Sequence, residues 1–191
     1  MGSILYYAQA VDLTALTALT TLGIIQAKAT THTLKSTEQL LDYLATNPNA
    51  TLRYYASSMV LNIHSDASYA SERGAKSRAV GHYFLCWLPR DNAPIRLNGA
   101  IYTLCNIMKF VASSAAEAEL GALFMNAKEV RIIRLTLKEL GRPQPPTPIH
   151  CDNATAAGIA NGSVKRQCSR AIEMGYFYIC DQVKNGEFDV I

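Results

Sequence analysis

The sequence predicts an α/β fold built on a mixed sheet, and three observations lead to this prediction. Three strand-like runs follow one another with short or polar links, at 59–65, 81–88 and 94–103. Such spacing is typical of an antiparallel meander. A long helical pattern follows over 114–141, and two further strands are predicted at 147–151 and 187–191. Because helices precede these last two strands, we expect them to lie parallel to the first strand.

The residues before the first strand predict a small helical segment. Residues 1–50 are rich in Leu, Ala and Thr, and Ser36-Thr37-Glu38-Gln39 has the pattern of a capping box at a helix start. Asn47-Pro48-Asn49 then interrupts the helical pattern. We therefore expect a helical segment over 1–50 and an α/β domain over 57–191.

The long helix after the meander has a clear signal at each end. Ser114 is the expected N-cap, with Glu117 at the third helical position, and Gly141 ends the helix. Basic residues recur at helical spacing and predict an outer basic stripe: Lys128, Arg131, Arg134 and Lys138. Two shorter helices are predicted over about 153–160 and 172–184.

The composition excludes several classes of protein. A hydrophobic fraction of 49% and a charged fraction of 17% suit a globular core, and disorder is not expected. The five cysteines include no CxxC pair, which argues against a zinc ribbon or a disulfide framework. No secretory signal or membrane-length apolar run is found. We therefore expect an intracellular protein, cytoplasmic or nuclear, that is not secreted.

Three carboxylates stand where a polar side chain would normally cost stability. Asp66 follows the first strand, Asp152 follows the first parallel strand, and Glu119 lies in the first turns of the long helix. Neighbouring parallel strands end at one edge of a sheet, so these groups can meet there. Acidic oxygens from separate elements suit a hard cation such as Mg²⁺. The competing interpretation of each acid is a local one, as a turn or helix cap or as a partner of the helix dipole.

The remaining polar residues give weaker signals. A basic loop before the last helix could contact phosphates or form a solvated surface: Lys165, Arg166 and Arg170. If the chain contacts a polyanion, the contact is expected within residues 51–191, because these hold 16 basic against 12 acidic residues. His64, His82 and His150 are interpreted as structural, because their spacing with the cysteines fits no zinc pattern.

Four short motifs, in order and at matching spacing, resemble the ribonuclease H domain of Ty1/copia-type retrotransposon polyproteins. They are Ser65-Asp66-Ala67-Ser68-Tyr69, Ser113-Ser114-Ala115-Ala116-Glu117-Ala118-Glu119-Leu120, Cys151-Asp152-Asn153 and Ser169-Arg170-Ala171-Ile172-Glu173. Gly186-Glu187-Phe188 near the end also fits. Residues 1–50 resemble the end of the preceding reverse transcriptase, through Gly2-Ser3-Ile4-Leu5-Tyr6-Tyr7-Ala8 and Asp42-Tyr43-Leu44.

This resemblance implies a ribonuclease H-like fold, with helices on both faces of a mixed five-stranded sheet. It implies cleavage of the RNA strand of RNA–DNA hybrids with two Mg²⁺ (or Mn²⁺) ions. Asp66, Glu119 and Asp152 fall on three of the family's four metal-binding carboxylates. Glu119 is preferred over Glu117 because Ala118-Glu119-Leu120 supplies the family's context. The implied partners are the hybrid and the rest of the polyprotein, and neither a membrane nor a small-molecule cofactor is expected.

Two departures from the family qualify the expected activity. The chain ends at Ile191, before the segment where the family's fourth carboxylate and last helix would stand, so we expect a fragment or degenerate copy with weak or no activity. Glu173 lies upstream on a helix and is not taken as the missing ligand. A catalytically inactive module that binds nucleic acid or connects domains is the alternative. An integrase-like nuclease is less favoured, because Glu119 precedes Asp152.

Overall fold

The computed structural model describes residues 2–87, 97–164 and 170–191, with the backbone alone described for 170–174. The chain forms two compact units that divide between Tyr54 and Tyr55. In this described part of the chain, no helix is both long enough and apolar enough to span a bilayer.

The first unit is helical, and the start of its third helix corrects the sequence prediction. Its helices are α1 (Gly2–Ala10), α2 (Leu16–Ile25) and α3 (Thr31–Thr46). The Thr30 hydroxyl accepts the Thr33 N–H at 3.3 Å, and the Thr33 hydroxyl accepts the Thr30 N–H at 3.1 Å. Two threonines thus form the reciprocal cap, with the N-cap Thr30 six residues before the predicted cap, and Ser36 lies inside the helix.

The second unit contains one five-stranded mixed sheet. Its strands are β1 (Val60–Glu72), β2 (Lys76–Cys86), β3 (Ala100–Ile107), β4 (Thr147–Cys151) and β5 (Phe188–Val190). The order across the sheet is β3-β2-β1-β4-β5. The β1–β2 and β2–β3 pairs are antiparallel, whereas β1–β4 and β4–β5 are parallel. The predicted meander with two added parallel strands is confirmed.

Some element boundaries differ from the prediction. The third strand begins at Ala100, six residues after its predicted start. The turn predicted at 90–93 lies outside the described residues. The first strand is longer than expected, because β1 continues past its predicted end at residue 65 to Glu72 in antiparallel pairing with β2.

Three helices complete the second unit: α4 (Ala115–Glu139), α5 (Ala154–Ala160) and α6 (Arg170–Lys184). All three add buried side chains to one hydrophobic core, which includes Leu61 and Ile63 of β1. Ser114 caps α4 as predicted, since its hydroxyl accepts the Glu117 N–H at 3.2 Å. The Glu117 carboxylate reaches back to the N–H of Ser113, one residue before the cap.

One member of the predicted basic stripe is not on the outer surface. The Arg134 side chain is only 12% exposed, and its Nε donates to the Glu187 carboxylate at 2.9 Å. A second guanidinium nitrogen donates to the Thr147 hydroxyl at 2.6 Å. Arg134 therefore ties α4 to the β4–β5 side of the sheet, whereas Lys128, Arg131 and Lys138 are exposed.

Candidate metal-binding site

The register of the parallel pair β1–β4 places two of the predicted acids side by side. Ser65 of β1 stands opposite Cys151 of β4, at the last paired position of the two strands. Asp66 and Asp152 each follow directly along the chain, and both are exposed. The two aspartates thus lie just past the last parallel pair of neighbouring strands. Asp152 follows β4 as predicted, whereas Asp66, predicted to follow the first strand, lies inside β1 and pairs with Val80 of β2.

Glu119 reaches the same point from α4. It is only 5% exposed, and its Oε1 accepts the N–H of Ala67 at 3.1 Å. Ala67 is the residue after Asp66, so the glutamate bonds the strand beside the first aspartate. Burying a carboxylate is costly unless hydrogen bonds or a cation compensate for the lost water. The Ala67 N–H offsets only part of this cost, because the pKa of Glu119 is still raised by burial.

Among the described residues, Glu119, Cys151 and Asp152 form a group of possible metal ligands. Their ligand atoms all lie within 4.8 Å of one another. The Cys151 Sγ lies 3.9 Å from the Glu119 Oε2. Asp66 is not a member of this group, so the structure brings two of the three predicted acids together and holds the third on the adjacent strand. Sequence reasoning did not assign Cys151, although its position immediately before Asp152 is the signal for it.

The electrostatics of this cluster favour the arrival of a cation. Burial raises the pKa of Glu119 to about 7; the Ala67 N–H acts against this rise, and the charges of Asp66 and Asp152 add to it. Burial also raises the pKa of the Cys151 thiol to about 11, with the nearby carboxylates contributing. The thiol is therefore neutral at neutral pH. The crowded carboxylate oxygens fit a hard cation such as Mg²⁺ or Mn²⁺, for which a neutral thiol is a poor ligand.

Most of the residues predicted to bind nucleic acid lie outside the part of the chain that the structure describes. Lys165 and Arg166 lie outside the described residues. Arg170 begins α6, and only its backbone is described. Their role therefore remains a prediction.

The three histidines of the sheet lie in register on neighbouring strands. His64 of β1 is opposite His82 of β2 and His150 of β4. The His64 and His150 rings stack with their centroids 4.8 Å apart, and burial lowers the pKa of all three side chains. Among the described residues no histidine belongs to the ligand cluster.

The chain is similar to polyproteins of plant transposons. It is 25% identical over 152 residues to the retrovirus-related Pol polyprotein from transposon TNT 1-94 of Nicotiana tabacum, which covers 80% of this chain and 11% of that protein. It is also 25% identical over 166 residues to the corresponding polyprotein from transposon RE1 of Arabidopsis thaliana, covering 83% and 10% respectively. The predicted resemblance to copia-type polyproteins is thus confirmed. The chain spans about a tenth of the length of these relatives.

Solved structures with a similar chain trace include two of LC11-RNase H1, isolated from compost. One covers 70% of this chain and 83% of its own, with 10% identity and a TM-score of 0.45. The other, a complex with an RNA/DNA hybrid, covers 69% and 81%, with 9% identity and a TM-score of 0.43. The N-terminal RNase H domain of a Mycobacterium tuberculosis protein covers 70% and 78%, with 12% identity and a TM-score of 0.43. No family model matches the chain.

Proposed function

We propose that residues 57–191 form a ribonuclease H-type endonuclease domain of a copia-like retrotransposon polyprotein, acting on the RNA strand of RNA–DNA hybrids. Residues 1–50 would be the end of the preceding reverse transcriptase. The observation that carries the proposal is the acidic cluster at the end of the β1–β4 pairing. Glu119 and Asp152 meet there, and Asp66 stands on the adjacent strand of a ribonuclease H-like sheet.

Asp66, Glu119 and Asp152 would hold the metal, with Mg²⁺ or Mn²⁺ as the ion and two ions expected from the family. When bound, such ions stabilise charge on the attacking and leaving oxygens of a phosphodiester. The three acids divide the task. Asp66 and Asp152 are exposed and present their oxygens to solvent, whereas Glu119 is buried and held by the Ala67 N–H. A fixed, partly dehydrated carboxylate contributes a preorganised negative charge.

Cleavage of a labelled RNA strand within a hybrid tests the enzymatic part of the proposal. The assay compares the wild-type protein with Asp66→Asn, Glu119→Gln and Asp152→Asn, in Mg²⁺ and in Mn²⁺. We expect the wild-type chain to cleave weakly and each variant to reduce that rate by roughly 100-fold or more, since each substitution removes a ligand charge. Asp189→Asn is the matched control, because Asp189 is an exposed aspartate on β5 outside the cluster.

Two results would overturn the enzymatic proposal. One is wild-type cleavage that Asp66→Asn and Asp152→Asn leave unchanged, since another site would then be responsible. The other is hybrid binding by the wild-type protein without cleavage in either metal. That result would favour the alternative, a non-catalytic module that binds nucleic acid or connects domains.

Hybrid binding is proposed to involve the basic loop that contains Lys165, Arg166 and Arg170. Contacts with phosphates release counterions, so the affinity should fall steeply as salt rises. A variant with all three residues changed to alanine should bind a hybrid more weakly and show a shallower salt dependence. Unchanged affinity would mean that the loop is only a solvated surface.

A further inference from the structure

We propose that Asn126 is a positioning residue that holds the Asp66 segment of β1 against α4. This inference rests on the proposed metal-dependent function, because it concerns how the acids are brought together. Asn126 lies seven residues after Glu119 on α4, which is about two helical turns. Its side chain is fully buried, at 0% exposure. A buried amide is costly unless its donors and acceptor are satisfied, so its contacts reveal its role.

The amide nitrogen of Asn126 contacts the residue before Asp66 in the chain and the residue paired with Asp66 on the next strand. Its Nδ2 donates to the Ser65 hydroxyl at 2.9 Å, and Ser65 immediately precedes Asp66. The same nitrogen donates to the backbone carbonyl of Val80 at 3.0 Å, and Val80 is the residue paired with Asp66 across the β1–β2 ladder. One side chain of α4 therefore fixes the position of Asp66 along β1 and across the sheet.

A second contact fixes the orientation of this amide. The Tyr83 hydroxyl donates to the Asn126 Oδ1 at 2.6 Å. Burial raises the pKa of Tyr83 far above its usual value, so the hydroxyl keeps the proton that it donates. A methyl group at Gly81 would lie 2.0 Å from the Oδ1, which means that only glycine leaves room for the amide here. With its oxygen held by Tyr83, the amide directs its nitrogen to β1.

These contacts and the Glu119 contact bracket Asp66. Asn126 bonds the residue before Asp66, and Glu119 bonds the N–H of Ala67, the residue after it. Both bonds come from the same helix. A functional site needs its ligands held to within about 0.5 Å, so contacts that fix strand and helix together determine whether these acids can share an ion.

The test compares three variants of the full chain: Asn126→Ala, Ser65→Ala and Val130→Ala. Ser65→Ala removes only one hydroxyl of the network. It tests the same contact with Asn126 if the Asn126→Ala protein does not fold. Val130→Ala is the matched control, because Val130 is a fully buried residue one turn further along α4 with no part in the network. The variants are compared at temperatures equally far below their own melting temperatures.

Two readouts are taken. The first is the Kd for Mn²⁺, which we expect Asn126→Ala and Ser65→Ala to raise at least five-fold and Val130→Ala to leave unchanged. The second is amide hydrogen exchange in metal-free protein. Exchange of the Ala67 N–H reports how firmly α4 is bonded to β1, because this N–H donates to Glu119 of α4. The Leu61 N–H on the same strand, which donates to Gln144 at 2.8 Å, is the internal reference. We expect the network variants to speed exchange at Ala67 at least ten-fold relative to Leu61.

The two readouts separate this inference from the proposed function. If Asn126→Ala and Val130→Ala give the same Mn²⁺ affinity and the same Ala67-to-Leu61 exchange ratio, Asn126 is only a core residue and the inference is wrong. If the wild-type protein binds no Mn²⁺, the proposed function fails. The exchange ratio then decides alone whether Asn126 holds the Asp66 segment.

Discussion

The first half of α4 buries several polar side chains, whereas the second half exposes large apolar ones. The first half, 115–127, buries Glu117, Glu119 and Asn126, none of them more than 5% exposed. The second half, 128–139, exposes Ile132 and Leu135, at 62% and 60%. The face of a helix directed at a core is normally apolar, so these three buried polar residues are exceptions among the buried apolar residues of the first half.

The difference shows which half of the helix builds the site. In the first half, Glu119 and Asn126 bond backbone or side-chain atoms of β1 on either side of Asp66. In the second half, Arg134 makes a comparable long-range tie to Thr147 at the start of β4 and to Glu187 just before β5, at the end of these strands opposite to Asp152. The first half therefore positions the acids, while the second half anchors the helix.

Among the polar and exposed positions of α4, Arg134 is the one whose removal should have the largest effect on stability. Arg134→Ala leaves Glu187 and Thr147 without their charged partner, and hydrogen bonds to charged groups contribute about 1.5–3 kcal/mol. We expect a loss of about 2–3 kcal/mol in the free energy of unfolding, measured with urea. Arg131→Ala, an exposed neighbour on the same helix, is the control and should change stability by less than about 0.5 kcal/mol. Equal losses in the two variants would show that Arg134 is no anchor.

Glu119→Gln should stabilise the metal-free protein, and only at the higher pH. The folded pKa of Glu119, about 7, lies above its ordinary value of 4.5. The unfolded chain therefore releases this proton first, and the wild-type protein loses stability as pH rises from about 4.5 through 7. With EDTA at pH 8 we expect the variant to be more stable by about 1–2 kcal/mol, allowing for partial solvent screening.

The pH dependence supplies the control for this prediction. At pH 5 the carboxyl is protonated in the folded protein, so the two proteins should differ little. Glu139→Gln, at the exposed end of α4, should show no such difference between pH 5 and pH 8. A Glu119→Gln protein that is less stable than wild type at pH 8 would mean that the ionised carboxylate is well accommodated.

Mn²⁺ should stabilise the protein through the first half of α4. An ion that binds only the folded state at ten times its Kd adds about 1.4 kcal/mol, seen as a higher Tm. Asp152→Asn should abolish this rise, because it removes a member of the ligand cluster. Asp189→Asn should retain it. A rise that survives in Asp152→Asn would place the ion elsewhere.

The smallest effect should come from the exposed apolar residues of the second half. Ile132→Ser should change the free energy of unfolding by less than about 0.5 kcal/mol, because the side chain is already in water. Leu123→Ala in the first half, where Leu123 is 1% exposed, should cost about 2–5 kcal/mol. A large loss in Ile132→Ser would indicate that this surface is covered in solution, by another copy or by a partner.

Much of the fold followed from local pattern. Alternating apolar residues indicated the strands, and the cap at Ser114 and the breaker at Gly141 delimited α4 to within two residues. Local pattern was less reliable at the start of α3. The capping box at Ser36 predicted the start of α3, whereas the structure caps this helix with the reciprocal Thr30–Thr33 pair. A capping pattern in the sequence does not by itself show where the helix begins.

The sequence by itself determined the order of strands and helices, and it indicated three acids as candidate ligands, because periodicity and short motifs are local properties. The tertiary structure alone decided which side chains join them. Asn126 meets Ser65 across 61 residues of chain, and Arg134 meets Glu187 across 53. Cys151 enters the ligand cluster because β4 pairs with β1 in one particular register. Such contacts depend on how sheet and helix pack, and packing is set by the whole core rather than by any short stretch of sequence.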